Sequence, residues 1–166
     1  KRAAPALASD SMIERSWSFN PDSDRYLIKL YRPNYLNPVR YQSRTNDKPF
    51  TPLFNLPESL ENDLDKVEAT FQISFKSRLW ATDNRRFGFW SAYTQLSFWQ
   101  IYNSENSSPF RDTNYMPELM ATWKPGLSFG GFEWSLLGLG YLHQSNGRAD
   151  PISRSWDRLV AQIGIE

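Results

Sequence analysis

Cysteine is absent from this 166-residue chain, which removes disulfide frameworks, thiolate metal centres and cysteine nucleophiles together. A charge excess is also missing. Nineteen basic residues stand against eighteen acidic ones, so no field gathers nucleic acid or another polyanion, and no nucleic-acid partner is expected. Histidine occurs once, so His-x-x-x-His and comparable transition-metal spacings do not arise, and there is no glycine-rich phosphate loop. Long apolar runs are lacking as well. No window approaches the ~18 consecutive apolar residues that a membrane-spanning helix needs. A spanning β-barrel survives this test, because its strands alternate lipid-facing and lumen-facing residues and look only half hydrophobic.

What is plentiful is aromatic. Trp, Tyr and Phe make up 16% of the chain although its mean hydropathy is negative. The length suits one domain. Residues 1–24 show no sustained period and read as a polar, aqueous leader with room for one short ordered piece. An Ala-x-Ala pattern between Lys1 and Ser9 reads at most as the stub of a processed export signal. Residues 25–32 are strand-like, after which Pro33, Pro38, Pro49, Pro52 and Pro57 are expected to break any regular element through a long polar connection.

Residues 67–79 carry the clearest periodicity. Val67, Ala69, Phe71, Ile73, Phe75, Ser77 and Leu79 alternate with Glu68, Thr70, Gln72, Ser74, Lys76 and Arg78. Period two sustained this long exceeds an ordinary strand and suits a tilted one crossing a bilayer, where ~9 to 11 residues span the hydrocarbon. Trp80 stands at its end, where an aromatic belt belongs. After a polar turn, residues 87–102 predict a second long strand with Phe87, Phe89, Tyr93, Trp99 and Ile101 on one parity. Gln95 lies in the middle of that apolar face, where an unpartnered amide is costly. Either the register shifts there or Gln95 is paired across an interface.

Residues 103–114 read as a loop crowded with oxygen ligands, which is either a solvated connection or a cation site. Strands follow at 115–123 and 132–145, the latter with a bulge or bend near Gly138 and Gly140. On this last strand Leu137, Leu139, Tyr141, His143 and Ser145 share a face; beyond the next loop so do Asp157, Leu159, Ala161, Ile163 and Ile165. If the two strands pair, a base (His143), a hydroxyl (Ser145) and a carboxylate (Asp157) meet at one end of a hairpin and point toward lipid. Serine becomes a nucleophile only when a base takes its proton and a third group holds that base. Gly147 beside the turn leaves backbone N–H groups for an oxyanion. Asp150, Ser153, Ser155 and the loop carbonyls are hard oxygens that suit calcium better than zinc or iron. Arg148, Arg154 and Arg158 fit either phosphate headgroups or an ordinary basic interface.

Two segments, Asn103-Ser-Glu-Asn-Ser-Ser-Pro-Phe-Arg-Asp-Thr-Asn-Tyr115 and His143-Gln-Ser-Asn-Gly-Arg-Ala-Asp-Pro-Ile-Ser-Arg-Ser-Trp156, closely resemble outer membrane phospholipase A of Gram-negative bacteria. The resemblance implies an all-β fold, an antiparallel transmembrane β-barrel of twelve strands, of which about six are present here. It implies a partial barrel over residues 25–166 with the catalytic hairpin at 132–166. It further implies a calcium-dependent enzyme of the outer membrane, a homodimer when active, that hydrolyses acyl esters of phospholipids and lysophospholipids. By the same resemblance Ser145 is the nucleophile and supplies an oxyanion N–H, His143 is the base and Asp157 orients it. Ser153, the Arg148 carbonyl and Ser107 of the partner subunit would hold Ca2+, with Asp150 a secondary contact and Gln95 in the dimer interface. Asp157 departs from the family, which often has Asn there. The chain is also shorter than the family, so the expectation is a fragment, inactive alone. A porin-like or structural barrel is the alternative, and a soluble, carbohydrate-binding β-sandwich fits the outward apolar faces poorly.

Overall fold

The computed structural model describes residues 11–46 and 64–166; the Ala-x-Ala pattern and Pro49, Pro52 and Pro57 lie outside them. Among the described residues there are one short helix and eight strands: α1 (Met12–Trp17), β1 (Leu27–Leu30), β2 (Tyr35–Tyr41), β3 (Val67–Ala81), β4 (Phe87–Trp99), β5 (Phe110–Trp123), β6 (Leu127–Phe129), β7 (Phe132–Ser145) and β8 (Ser155–Ile165). All pairings are antiparallel, in the order β1-β3-β4-β5-β7-β6, with β2 also on β3 and β8 also on β7.

The eight segments fill six columns. β1 lies beside residues 75–78 of β3 and β2 beside residues 67–72, so both occupy one edge. Trp134 pairs with Leu127 of β6 and with Ile165 of β8, which puts β6 on the β5 side of β7. The sheet is open among the described residues. β3, β4, β5, β7 and β8 run for 11 to 15 residues, enough for tilted strands to cross the hydrocarbon.

The alternation read from residues 67–79 is the alternation observed. Glu68, Ser74, Lys76 and Arg78 are buried on the inner face, while Ile73, Phe75 and Leu79 are exposed on the outer one. The charged groups of the inner face are satisfied locally, while the buried hydroxyls of Thr70 and Ser135 have no hydrogen-bond partner among the described residues. Glu68, fully buried, accepts from Arg40, Gln42, Gln100 and Arg111. Arg78 donates to the carbonyls of Trp17 and Ser18. Lys76 Nζ sits 3.2 Å from the centre of the Trp17 ring, with Tyr31 and Trp90 further out, a cation–π cage that replaces part of the lost hydration.

Several expectations give way. The short ordered piece for which residues 1–24 left room is α1, capped by the Ser11 hydroxyl, but it is more than a polar leader: Met12 and Arg15 stay exposed, while Trp17 and, just after the helix, Phe19 enter the core with Trp90, Ala92, Met120 and Leu136. Gly164 lets α1 come close: a Cβ there would lie 2.5 Å from Ile13 Cδ1 and 2.9 Å from Leu136 Cβ. Pro38 does not prevent β2, because β2 is an edge strand and its register shifts between Asn37 and Arg40, where the missing N–H costs no ladder bond. Gly138 and Gly140 mark no bulge. The register runs through both, and the irregularity lies between Trp134 and Leu136. A Cβ on Gly140 would stand 3.1 Å from Met120 Cγ and 3.3 Å from a Glu118 carboxylate oxygen, so glycine there makes room for inward side chains from β5. Finally, residues 110–114, read as loop, extend β5.

The interior filling generates a test. Trp17→Ala removes the ring that meets Trp90 at 5.3 Å edge-on and caps Lys76. The intact protein is expected to lose about 3–5 kcal/mol of unfolding free energy, read as a lower urea midpoint of the heat-modifiable electrophoretic band.

Candidate active site on the outer face of the hairpin

The β7–β8 ladder sets His143 opposite Asp157 and Ser145 opposite Ser155. On its other side Ser145 pairs with Tyr115 of β5. The three sequence-predicted residues therefore share the outward face, together with exposed Leu139, Tyr141, Leu159 and Ile163. His143 Nδ1 and Asp157 Oδ1 are 2.8 Å apart. A carboxylate only accepts, so Nδ1 carries the hydrogen and Nε2 is left as the basic nitrogen. Tyr141 donates to the same Asp157 oxygen at 2.7 Å. No hydrogen bond joins Ser145 to His143 among the described residues; they are two positions apart on one face of one strand, and a side-chain rotation decides whether they meet.

The loop that follows is built on Asn146, to which the sequence alone assigns no role beyond a place in the turn with Gly147. Its backbone N–H donates to the Arg154 carbonyl at 3.0 Å. Its side-chain amide donates to the Ile152 carbonyl at 2.9 Å and accepts from the backbone N–H of Arg154 at 2.9 Å and of Arg148 at 3.4 Å. Asn146 is buried, so one side chain ties both limbs of the loop. Gly147, at φ 63°, is required because a Cβ would lie 2.7 Å from the Tyr115 ring. The available signal was the adjacency of Asn146 to a hydroxyl on a buried-facing parity; what it bonds was not visible in the sequence.

The loop's arginines anchor it to β5. Arg148 donates to the Arg111 carbonyl at 3.0 Å, and Arg154 pairs with Asp112 at 3.1 Å. Arg158 donates to Gln144. These contacts favour an anchoring role over free headgroup cations. Ser107, at φ 60°, lies in the β4–β5 loop, which leaves the sheet at the same end as loop 146–154. The candidate cation ligands, Ser107, Ser153, Asp150 and the Arg148 carbonyl, are hydroxyl, carboxylate and carbonyl oxygens with no nitrogen or sulfur among them. In kind they fit Ca2+. No cluster of three or more His, Cys, Asp or Glu residues is present among the described residues, so the fit rests on neutral oxygens with the single carboxylate of Asp150.

Gln95 keeps a continuous register, opposite Ile73 and Tyr115. Of the two readings offered for it, the register shift does not occur at this position. It accepts from Tyr93 Oη and donates to Ser97 Oγ, each at 3.0 Å, and Thr113 lies 3.3 Å from Ser97. A polar row thus crosses the outer face of β4 and β5.

The sequence profile of the phospholipase A1 family matches residues 13–166. The chain belongs to that family. A putative phospholipase A1 of Neisseria meningitidis serogroup B is 40% identical over the whole of this chain and 47% of its own length. Phospholipase A1 of Escherichia coli K12 is 38% identical over 85% of this chain and 47% of its own. Among solved structures, the calcium-bound dimer of the Salmonella typhi outer membrane phospholipase superposes with a TM-score of 0.70 at 35% identity, over 84% of this chain and 53% of that one. Outer membrane phospholipase A from Escherichia coli gives 0.68 at 36% identity, over 84% and 56%. The chain spans about half the length of the relatives it matches. The open antiparallel sheet is therefore part of a barrel wall of the outer membrane type, as the resemblance implied.

Asn146→Ala tests the account of the loop. Losing these buried hydrogen bonds costs about 1–3 kcal/mol locally, so limited proteolysis within residues 147–153 should accelerate roughly tenfold while the unfolding midpoint of the barrel stays put.

Proposed function

We propose that the protein hydrolyses the acyl esters of phospholipids and lysophospholipids in the outer membrane, with Ser145 as nucleophile, His143 as base and Asp157 as the group that orients His143. The observation that carries this reading is the 2.8 Å contact between His143 Nδ1 and Asp157 Oδ1 on the hydrocarbon-facing side of the sheet, two residues from Ser145. A base fixed in this tautomer beside a hydroxyl is equipment for acyl transfer, and its direction selects a substrate that reaches it through lipid.

The chemistry follows from those groups. Ser145 Oγ attacks the ester carbonyl carbon as its proton passes to His143 Nε2, and Asp157 stabilises the imidazolium. The oxyanion is met by the backbone N–H of Ser145. As the carbon–oxygen ester bond breaks, His143 returns the proton to the departing alkoxide. Water then attacks the acyl-serine with His143 again as base, releasing the fatty acid and restoring Ser145.

Ser153 and the Arg148 carbonyl, with Ser107 of the partner subunit, would hold Ca2+, and Asp150 would be a secondary contact. When bound there, the ion adds positive charge beside the oxyanion. A site shared in this way makes a homodimer the active form. The row through Gln95 supports that assembly: its amide has more hydrogen-bonding capacity than Tyr93 and Ser97 use, and in hydrocarbon a second copy is the available source of partners.

In the intact protein Ser145→Ala is expected to lower turnover of a phospholipid ester at least about a thousandfold with heat-modifiable mobility unchanged; sustained turnover refutes the assignment. Chelation of Ca2+ should abolish hydrolysis without unfolding, and added Ca2+ should restore it. A porin-like barrel would instead conduct solute and leave Ser145 unlabelled by a sulfonyl fluoride.

A further inference from the structure

The outward face of the hairpin carries one more polar group that the acyl-transfer scheme does not use. Tyr141 precedes His143 by two residues, shares its face, and sits diagonally from Asp157 across the β7–β8 ladder, opposite Leu159. Its ring is about half exposed. A tyrosine near the end of a lipid-facing strand ordinarily turns its hydroxyl toward the headgroups and water. Here the hydroxyl turns to the carboxylate instead, at 2.7 Å from Asp157 Oδ1. That is the same oxygen that accepts from His143 Nδ1 at 2.8 Å.

Two donors from one strand thus converge on one oxygen of the facing strand. Asp157 is an aspartate on the lipid side of a barrel wall, where an ionised carboxylate with a single partner is poorly stabilised. Its side chain also has two rotatable bonds. A bond from His143 alone leaves the carboxylate free to swing about that contact, and the imidazole swings with it. A second bond, arriving from Tyr141 one alternation further along β7, fixes the oxygen in position. It thereby fixes the plane of the imidazole and the direction of Nε2. Tyr141 and His143 are the hydrogen-bond donors that meet the Asp157 carboxylate among the described residues. On β5, Tyr115 stands opposite Ser145, and Ser155 and Leu159 flank Asp157 on β8. The nearby cations are engaged elsewhere, Arg154 with Asp112 and Arg158 with Gln144.

We propose that Tyr141 is a positioning residue of the catalytic machinery, holding Asp157 so that His143 presents Nε2 to Ser145. The inference rests on the reading of Ser145, His143 and Asp157 given above, and goes beyond it by assigning a fourth side chain.

The test uses the intact protein in detergent micelles with Ca2+ and a phospholipid ester, with rates expressed per folded barrel by heat-modifiable electrophoresis. Tyr141→Phe keeps the ring and removes only the hydroxyl. A hydrogen bond to a charged group of this kind predicts a fall in kcat of about tenfold with KM unchanged, since Tyr141 acts on the base and not on lipid binding. Labelling of Ser145 by a sulfonyl fluoride should slow by a similar factor. In an Asp157→Ala background the same change should have no further effect, because the group through which Tyr141 acts is gone. Full kcat in Tyr141→Phe overturns the proposal, as does a change confined to KM, or a loss that persists undiminished beside Asp157→Ala. The Ser145→Ala control separates the two levels: if that variant stays active the underlying reading fails, whereas an inert Ser145→Ala beside a fully active Tyr141→Phe removes only the role of Tyr141.

Discussion

Backbone amides in hydrocarbon have no water to turn to, so they pair strand to strand, and the antiparallel ladder that pairs them sends successive side chains to opposite faces. Everything else in the sheet depends on which face a residue receives. Inward charged residues must find partners inside, and the principal ones do: Glu68 gathers Arg40, Arg111, Gln42 and Gln100, while Arg32 pairs with Glu118 and Lys76 lies among three aromatic rings. Outward residues need no polar partner, which is why the few polar ones there stand out. Two sets of outward polar groups are hydrogen-bonded among themselves, the hydroxyl and amide row of β4–β5 and the His143–Asp157–Tyr141 cluster of β7–β8.

The parts of this arrangement that depend on period were legible from the sequence. The alternation at residues 67–79, the long strands after it, and the outward direction of His143, Ser145 and Asp157 all follow from counting by two. Parity tells a face, and a face tells which solvent a side chain meets. Parity does not tell which groups come within hydrogen-bonding distance diagonally. Tyr141 was on the correct face in the sequence, but its bond to Asp157 depends on the register of β7 against β8, which period alone leaves free. The same applies to Asn146, whose partners Ile152 and Arg154 lie six and eight residues further on.

Other features escaped because their stabilisation is tertiary. α1 has six residues, too short to be stable alone, and it holds its shape because Trp17 and Phe19 fill the concave side of the sheet. β2 includes a proline that would forbid a central strand and is harmless on an edge. β6 is three residues long and turns into β7 through Gly130 and Gly131, both at positive φ, so its signal is a pair of glycines and little else. The glycines of β7 misled in the other direction. Gly138 and Gly140 suggested a bend in the backbone, whereas Gly140 is small because Met120 and Glu118 need the space.

The placement of Ser145 on an outer wall, with no chamber enclosing it, has a consequence for how its reaction is counted. On the reading proposed above, substrate arrives sideways, by two-dimensional diffusion within the film around the barrel. The quantity that then governs turnover is the mole fraction of ester among the amphiphiles in that film, and the bulk concentration of lipid in the vessel has no direct bearing on it.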